Sequence, residues 1–159
     1  MARIINLTQH QATDEQVAAG VVDLDGAARG QLTRLLTFDR APDPTEIRAR
    51  ARAIADLAVD AGADAAMIGG APYLMPALEI ALADRGIVPL YAYTRRESVE
   101  RREPDGAVRK VAVFRHQGWV VGPVYQVVVD AWQAGTQHVL YISWEGARAI
   151  ERAIREAQG

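Results

Sequence analysis

The stretch Ala65-Ala66-Met67-Ile68-Gly69-Gly70-Ala71-Pro72-Tyr73 decides the fold predicted for this chain. Its first four residues form a compact apolar run, which is typical of a strand buried in a parallel sheet. The glycine pair, followed by Pro72 and Pro76, predicts a loop over residues 69–75, because proline disrupts a helix interior. Ligands of open α/β sheets bind at the carboxyl ends of the strands, where bare glycine N–H groups can approach a phosphate. The alternative interpretation is that the glycine pair only relieves a tight turn.

Strand and helix signals alternate on either side of this stretch. Apolar runs predict further strands at residues 3–7, 21–24 and 87–93. A capping box at Thr13 to Gln16 and the start signal Asp43-Pro44-Thr45-Glu46 predict two helices. Apolar residues at helical spacing predict two more helices, over residues 31–38 and from Pro76 to a stop at Gly86.

The pattern changes after residue 93. Glu103-Pro104-Asp105-Gly106 is a turn signal between two extended runs, residues 99–102 and 108–114, which predicts an antiparallel hairpin. The tail returns to a helix at 124–134, a strand at 138–143 and a helix at 144–158. We therefore expect an α/β fold with a Rossmann-like, mainly parallel sheet flanked by helices and an antiparallel hairpin appendage. A single domain would span residues 1–159, with 122–159 as a C-terminal α/β extension.

Composition excludes several classes of function. The 159 residues carry a net charge of −2, which argues against general binding of DNA or RNA. The chain has no cysteine, so disulfides, thiol catalysis and cysteine-based metal sites are excluded. No apolar run reaches the roughly 20 residues that span a bilayer, and the start of the chain is too short for a signal peptide. We expect a cytoplasmic protein without a metal, a cofactor or a membrane partner.

The second informative segment is Leu90-Tyr91-Ala92-Tyr93-Thr94-Arg95-Arg96-Glu97-Ser98. Its hydroxyls and guanidinium groups follow an apolar strand and suit a phosphate-bearing ligand. The alternative is a solvated strand entry whose charges only serve solubility. Tyr91 and Tyr93 alternate onto one face, where they would stack a base or serve as core aromatics, and the core is the safer interpretation of Tyr91.

Histidines supply the candidates for proton transfer. The loop Thr8-Gln9-His10-Gln11 follows the first strand and should reach the same sheet edge, so His10 is a possible general base or phosphate donor. An exposed histidine without a role is the alternative. His116 follows the hairpin and would approach the site from across a dimer, whereas His138 begins a strand and is interpreted as structural.

These segments together resemble a known family. The carriers of the likeness are Asn6 to Gln16, Met67 to Ala71, Tyr91 to Glu97, the Asp105-Gly106 turn and Phe114-Arg115-His116. The layout, over roughly residues 2–121, is similar to that of small stand-alone CRISPR-associated Rossmann-fold (CARF-like) proteins, several of which are ring nucleases. The chain differs in its Thr-Gln-His order, in the proline-rich loop after Gly70 and in its tail.

The resemblance implies a homodimer with a two-fold symmetric pocket. The protein would bind the second messenger cyclic oligoadenylate and cleave it by metal-independent attack of a ribose 2′-hydroxyl, which switches off type III CRISPR signalling. The implied catalytic residues are Arg95, Arg96 and His10. The implied ligand-binding residues are Thr8, Gln9, Gly69, Gly70, Ala71, Tyr73, Tyr93, Thr94, Ser98 and His116. Neither a membrane nor double-stranded nucleic acid is an expected partner.

Other classes of function remain open at this point. The same pocket would suit a sensor or sponge that holds a cyclic nucleotide without cleaving it. It would also suit an enzyme acting on another nucleotide, which should bind mononucleotides. A partner-binding α/β protein without a small ligand is a further alternative, with the predicted helix at residues 144–158 as its interface.

Overall fold

The computed structural model describes residues 2–133 of the chain. The predicted strand at 138–143 and helix at 144–158 lie outside the described residues. Ten elements follow one another in the described part: β1 (Ile4–Asn6), α1 (Asp14–Ala18), β2 (Val21–Asp23), α2 (Gly26–Leu36), α3 (Pro44–Asp60), β3 (Ala65–Met67), α4 (Met75–Ala83), β4 (Val88–Arg102), β5 (Val108–Val121) and α5 (Pro123–Gln133).

The strands form one sheet in the order β2-β1-β3-β4-β5. β1 pairs in parallel with β2 and β3, and β3 pairs in parallel with β4. β4 and β5 are antiparallel. The predicted α/β fold, a mainly parallel sheet flanked by helices with an antiparallel hairpin, is confirmed.

Helix α3 begins and packs as its sequence predicts. The Asp43 carboxylate accepts a 2.8 Å hydrogen bond from the Glu46 N–H, and Pro44 occupies the first helical position. The apolar stripe that includes Ile47, Ala51 and Ile54 is buried. Burying this stripe against the neighbouring α2 and α4, rather than helix propensity alone, stabilises the helix.

The other predicted helix boundaries agree with the structure to different degrees. The capping box at Thr13 and Gln16 is present in both directions, and Gly62 and Gly86 adopt positive φ just after α3 and α4. α4 begins at Met75, one residue before Pro76. α2 begins at Gly26 rather than near residue 31, because its first turn carries no apolar stripe that the sequence pattern would reveal.

The hairpin departs most from the prediction. β4 does not end at Tyr93 but continues to Arg102, so residues 94–98 lie inside a strand and not in a loop. β5 pairs with β4 along its length, from Leu90↔Val121 to Arg102↔Val108. Beyond Leu90 the strand has lost β3 as a neighbour, and past Tyr93 the residues of β4 are almost all polar or charged, so the apolar signal fades there. The turn at its tip is confirmed, with Gly106 at φ +86°.

Two compact units divide the chain, Met1–Gly122 and Pro123–Gly159. The first contains the whole sheet with α1 to α4. Helix α5 belongs to the second unit and matches the helix predicted at 124–134. Over residues 2–133, none of the helices combines the length and apolar character needed to cross a membrane.

Candidate functional site

The strand order reverses at β1, whose neighbours are β2 on one side and β3 on the other. At such a switch point the loops leave in opposite directions and open a crevice beyond the carboxyl ends of the strands. The loops after β1 and β3 meet there. The methyl carbon of Thr8 lies 3.6 Å from the position that a Cβ on Gly69 would occupy. The structure thus brings together Thr8 and Gly69, two residues that the sequence placed at one sheet edge.

A buried amide organises the loop after β1. Asn6 is 1% exposed, and its side-chain nitrogen donates to the His10 carbonyl at 2.7 Å and to an Asp23 carboxylate oxygen at 2.7 Å. Its side-chain oxygen accepts from the N–H of Thr8 at 2.9 Å and lies 2.7 Å from the Thr8 hydroxyl. Each polar atom of Asn6 is used, so the first turn of the loop is held in one conformation.

Asp23, at the end of β2, holds the other end of that loop. Its carboxylate accepts the Ala12 N–H at 3.1 Å, and Arg29 lies 3.9 Å from its second oxygen. Sequence reasoning missed both Asn6 and Asp23 as part of the site. The available signal was a single polar residue ending each of two apolar strands.

The predicted ligand residues Gln9 and Gly70 converge on the end of α2. The Gln9 amide donates to the Leu36 carbonyl at 3.4 Å. A Cβ on Gly70 would lie 3.9 Å from Leu36 and 3.7 Å from Met75, and the glycine adopts φ +145°. Gly70 is therefore needed for its backbone conformation, since both distances are ordinary van der Waals contacts.

A groove opens at the start of α3, lined by Phe38, Asp39, Arg40, Pro42, Ile47 and Tyr73, with a volume of about 480 Å³. The rings of Phe38 and Tyr73 meet edge to face, 5.2 Å apart at 74°. Tyr73 is 51% exposed, so its ring is open to a ligand. Tyr73 was predicted as a ligand residue, whereas Phe38 and the groove itself were missed, since no pattern in residues 38–42 marks them.

The arginine run is divided between the two faces of the hairpin. Successive residues of a strand point to opposite faces, so Arg95 shares a face with Tyr93 and Arg96 shares the other with Thr94. Ser98 lies on the Arg96 face, and the pairing Thr94↔His116 adds His116 to it. Within residues 2–133 no ion pair engages Arg95 or Arg96. The two arginines predicted to act together are separated by the ribbon.

His116 is fixed by its neighbours. Its backbone N–H donates to Glu15 at 2.6 Å, and its ring meets Trp119 edge to face at 4.6 Å. Arg115 donates to the second oxygen of Glu15 at 3.1 Å. The backbone N–H of His116, and next the Arg115 guanidinium, hold the pKa of the Glu15 carboxyl below its ordinary value. The ring atom Nδ1 of His116 is buried and, among the described residues, has no hydrogen-bond partner.

Tyr91 faces a buried carboxylate on α4. Its hydroxyl donates to Glu79 at 3.0 Å, and Glu79 is 2% exposed. Burial, followed by this hydrogen bond, raises the pKa of Tyr91 well above its ordinary value. Tyr91 is held by a protein partner, in keeping with its interpretation as a core aromatic. Glu79 carries no signal in the sequence, since a lone glutamate in an apolar helix reads as surface.

The remaining predicted residues are placed as follows. The His10 side chain is exposed, and its carbonyl accepts from Asn6. The Ala71 carbonyl accepts the Leu74 N–H at 3.0 Å and closes the turn that leads into α4. In the part of the chain that the structure describes, no three or more His, Asp or Glu side chains cluster as a metal site would.

Fold and site together define an α/β protein whose candidate binding crevice lies at the switch point of a parallel sheet. The sequence model of the Uncharacterized protein MJ1673 family matches residues 2–120. The chain belongs to that family, and the match covers the sheet, the crevice loops and nearly all of the hairpin. No curated protein and no solved structure gave a significant match.

Proposed function

We propose that this protein is a ring nuclease of the CARF-like type, which binds cyclic oligoadenylate at the crevice and linearises it, switching off type III CRISPR signalling. The observation that carries the proposal is the meeting of Thr8 and Gly69 at the switch point between β1 and β3. This crevice offers glycine backbone and a rigid loop at the place where sheets of this order bind nucleotides.

The proposed reaction is an internal transfer at phosphorus. A ribose 2′-oxygen attacks the adjacent phosphorus, the bond from phosphorus to the 5′-oxygen breaks, and a 2′,3′-cyclic phosphate and a 5′-hydroxyl result. One proton leaves the 2′-hydroxyl and one reaches the 5′-oxygen, and the exposed imidazole of His10 is the assigned carrier. No metal takes part in this scheme. The protein contributes in-line positioning and stabilisation of the charge that develops on phosphorus.

The charge of the hairpin supports an anionic ligand. Residues 88–121 contain seven arginines and lysines against four carboxylates, in a chain whose net charge is −2. Arg95 and Arg96 lie where the ribbon leaves the sheet, close in sequence to the strand end that borders the crevice. In this proposal both arginines contribute to the positive potential that attracts the ring of phosphates, and the one whose face borders the crevice contacts it.

The hairpin also supports a homodimer. A two-stranded ribbon without further support is marginally stable in water. Beyond Leu90 this ribbon extends past the parallel strands, and its apolar side chains Tyr93, Phe114 and Val108 are 57%, 66% and 57% exposed. Phe114 and Val108 share one face of the ribbon, since they pair with Arg96 and Arg102. A second copy of the chain that packs on that face would cover these two side chains and bring a second crevice into one symmetric site.

The test is incubation of the purified protein with cyclic tri-, tetra- and hexa-adenylate in EDTA, with products identified by mass spectrometry. We expect linear products that carry a 2′,3′-cyclic phosphate. Arg95→Ala, Arg96→Ala and His10→Ala should slow their formation. Arg101→Ala and Arg102→Ala are matched controls on the same two faces of β4, about 20 Å further toward the tip. Undiminished cleavage by Arg95→Ala and Arg96→Ala would remove their assigned role, and neither binding nor product would remove the proposal.

A sponge or sensor for the same ligand is the second candidate. The observation that favours it is the placement of Arg95 and Arg96 on opposite faces of β4. A phosphorus bound in one crevice is approached from one face only, so the two arginines cannot together stabilise the charge that develops there during cleavage. This candidate predicts intact ligand after incubation together with a rise in Tm. An enzyme acting on another nucleotide would instead bind mononucleotides as tightly as the cyclic ligands.

A further inference from the structure

The groove between Phe38 and Tyr73 has the size and walls of a small-molecule subsite. Its volume of about 480 Å³ lies within the roughly 300–1,000 Å³ typical of ligand pockets. Phe38 and Tyr73 supply aromatic surface, while Pro42 and Ile47 supply apolar surface. Asp39 and Arg40 place one acceptor group and one donor group on its lining.

Phe38 is held rigidly in this groove by Arg50. The guanidinium carbon of Arg50 lies 4.3 Å from the centre of the Phe38 ring. One nitrogen of the same guanidinium lies 2.6 Å from the Thr37 carbonyl and 3.1 Å from the Leu35 carbonyl, and the other bonds Glu46 at 2.9 Å. These contacts join the end of α2 to α3, so the aromatic wall is formed before any ligand arrives.

The chemistry of the groove fits a base better than a phosphate. The start of α3, which follows Pro42 directly, is already capped by the Asp43 carboxylate and carries Glu46 in its first turn. Together with Asp39 these carboxylates oppose an anion there. A purine, in contrast, has a π-face for Tyr73 and an edge with both donors and acceptors for Asp39 and Arg40.

The crevice loops reach the end of α2, and the groove begins two residues beyond that end. Gln9 bonds the Leu36 carbonyl, and the Cβ position of Gly70 lies 3.9 Å from Leu36. Phe38 follows two residues after Leu36, and Tyr73 three residues after Gly70. A ligand with its phosphate over Gly69 would therefore have the groove within reach of its base.

From this geometry we infer that the groove between Phe38 and Tyr73 is a nucleobase subsite, which takes an adenine of the nucleotide held at the crevice. The inference rests on the proposed function for the identity of the ligand. It assigns Tyr73 as the stacking surface, Asp39 and Arg40 as the edge contacts, and Arg50 as a positioning residue that acts through Phe38.

The experiment is a ¹H–¹⁵N NMR titration of the full chain with cyclic tetra-adenylate, adenosine 5′-monophosphate and ribose 5-phosphate. We expect both adenine ligands to shift the amides of Phe38, Arg40 and Tyr73 as well as those of Thr8 and Gly69. Ribose 5-phosphate, which lacks a base, should shift only Thr8 and Gly69.

Affinity for cyclic tetra-adenylate is then compared across two variants. Tyr73→Leu should weaken binding about ten-fold, because stacking on an aromatic ring is lost. Tyr73→Phe keeps the ring and should stay within about two-fold of the parent. Near-ultraviolet circular dichroism checks that both variants remain folded, and the half-exposed position of Tyr73 makes large unfolding unexpected.

The possible results separate this inference from the proposed function. Cyclic tetra-adenylate that shifts Thr8 and Gly69 but not Phe38 and Tyr73, with Tyr73→Leu binding as tightly as the parent, overturns the base subsite alone. No shift with any of the three ligands overturns both. Shifts at Phe38 and Tyr73 with ribose 5-phosphate would show that the groove takes the phosphate and would also overturn the subsite.

Discussion

The side-chain amide of Asn6 donates a 2.7 Å hydrogen bond to the carboxylate of Asp23, which joins the ends of β1 and β2 beside the crevice. The same amide also donates to the His10 carbonyl, so one buried residue fixes the conformation of the loop that carries His10, the candidate acid–base group. Stability and the proposed site are thus coupled through Asn6.

Asn6→Asp should destabilise the protein by about 3 kcal/mol. The substitution keeps the shape but removes both N–H donors and sets a second carboxylate against Asp23. Urea unfolding measures the change. Asp25→Ala is the control, since Asp25 precedes α2 without a side-chain capping bond and should change stability by less than about 0.5 kcal/mol. Equal effects of the two substitutions would contradict the role given to Asn6.

Gly122→Ala should cost about 3 kcal/mol, because a Cβ there would approach the Glu79 carboxyl carbon to 2.7 Å. The φ of Gly122 is not positive, so only the overlap with Glu79 opposes a side chain. A double-mutant cycle with Glu79→Ala isolates the effect, and in that background Gly122→Ala should cost less than about 1 kcal/mol.

Gly30→Ala is the matched control for that cycle. Gly30 lies inside α2, and the atom nearest its Cβ position is a guanidinium nitrogen of Arg34 at 3.6 Å. Alanine therefore fits and should stabilise the helix by about 0.5 kcal/mol. A cost for Gly122→Ala that persists without the Glu79 carboxylate would contradict the steric explanation.

Glu15 should make stability depend on pH in acid. Its pKa is lower in the folded protein than the ordinary 4.5, so the unfolded chain binds more protons in this range. The contribution of Glu15 to stability is therefore complete above pH 4.5, and it is lost as the pH falls through the pKa that Glu15 has in the folded protein. The difference in stability between the parent and Glu15→Gln should shrink over that window.

Glu100→Gln, on the same hairpin, controls for loss of charge alone. The free energy of unfolding, measured for all three proteins from neutral pH downward, checks the expectation. Amide exchange at His116 gives a local measure, since its N–H bonds Glu15. If the difference in the free energy of unfolding between the parent and Glu15→Gln grew as the pH fell, the expectation would be wrong.

Arg50→Lys should destabilise the protein by about 1–2 kcal/mol. Lysine keeps the charge but lacks the planar fork that reaches the Thr37 carbonyl and Glu46 together while lying over Phe38. Thermal unfolding measures the loss. Arg52→Lys, an exposed change on the same helix, should leave Tm within about 1 °C. No loss in Arg50→Lys would also weaken the claim that Phe38 is rigidly held.

The sequence predicted the parallel core well because its signals are local. Short apolar runs marked β1 and β3, the second followed by a glycine pair, and the Asp43–Glu46 capping signal marked the start of α3. Such signals depend on neighbouring residues, so they can be read without tertiary contacts. The hairpin was predicted at its turn but too short, since the part of β4 past Tyr93 has no apolar face to reveal it.

The candidate site was predicted in part. Thr8 and Gly69 were placed at one sheet edge from the rule that parallel strands share a carboxyl edge, and in the structure the Thr8 methyl carbon lies 3.6 Å from the Cβ position of Gly69. Arg95 and Arg96 were assigned a joint role, but they lie in a strand, where neighbouring side chains point to opposite faces. In a loop the two side chains could have pointed the same way. Their separation therefore depended on where β4 ends, which its pairing with β5 decides.

The sequence by itself determined the class of fold, the order of its elements and the sheet edge at which the polar loops gather. These follow from patterns within short segments. Tertiary structure alone decided the satisfied contacts of Asn6, the groove between Phe38 and Tyr73, and the fit of Gly122 against Glu79. The contacts Asn6–Asp23, Phe38–Tyr73 and Glu79–Gly122 join residues 17 to 43 positions apart, and a contact across such a separation depends on how the packed elements meet.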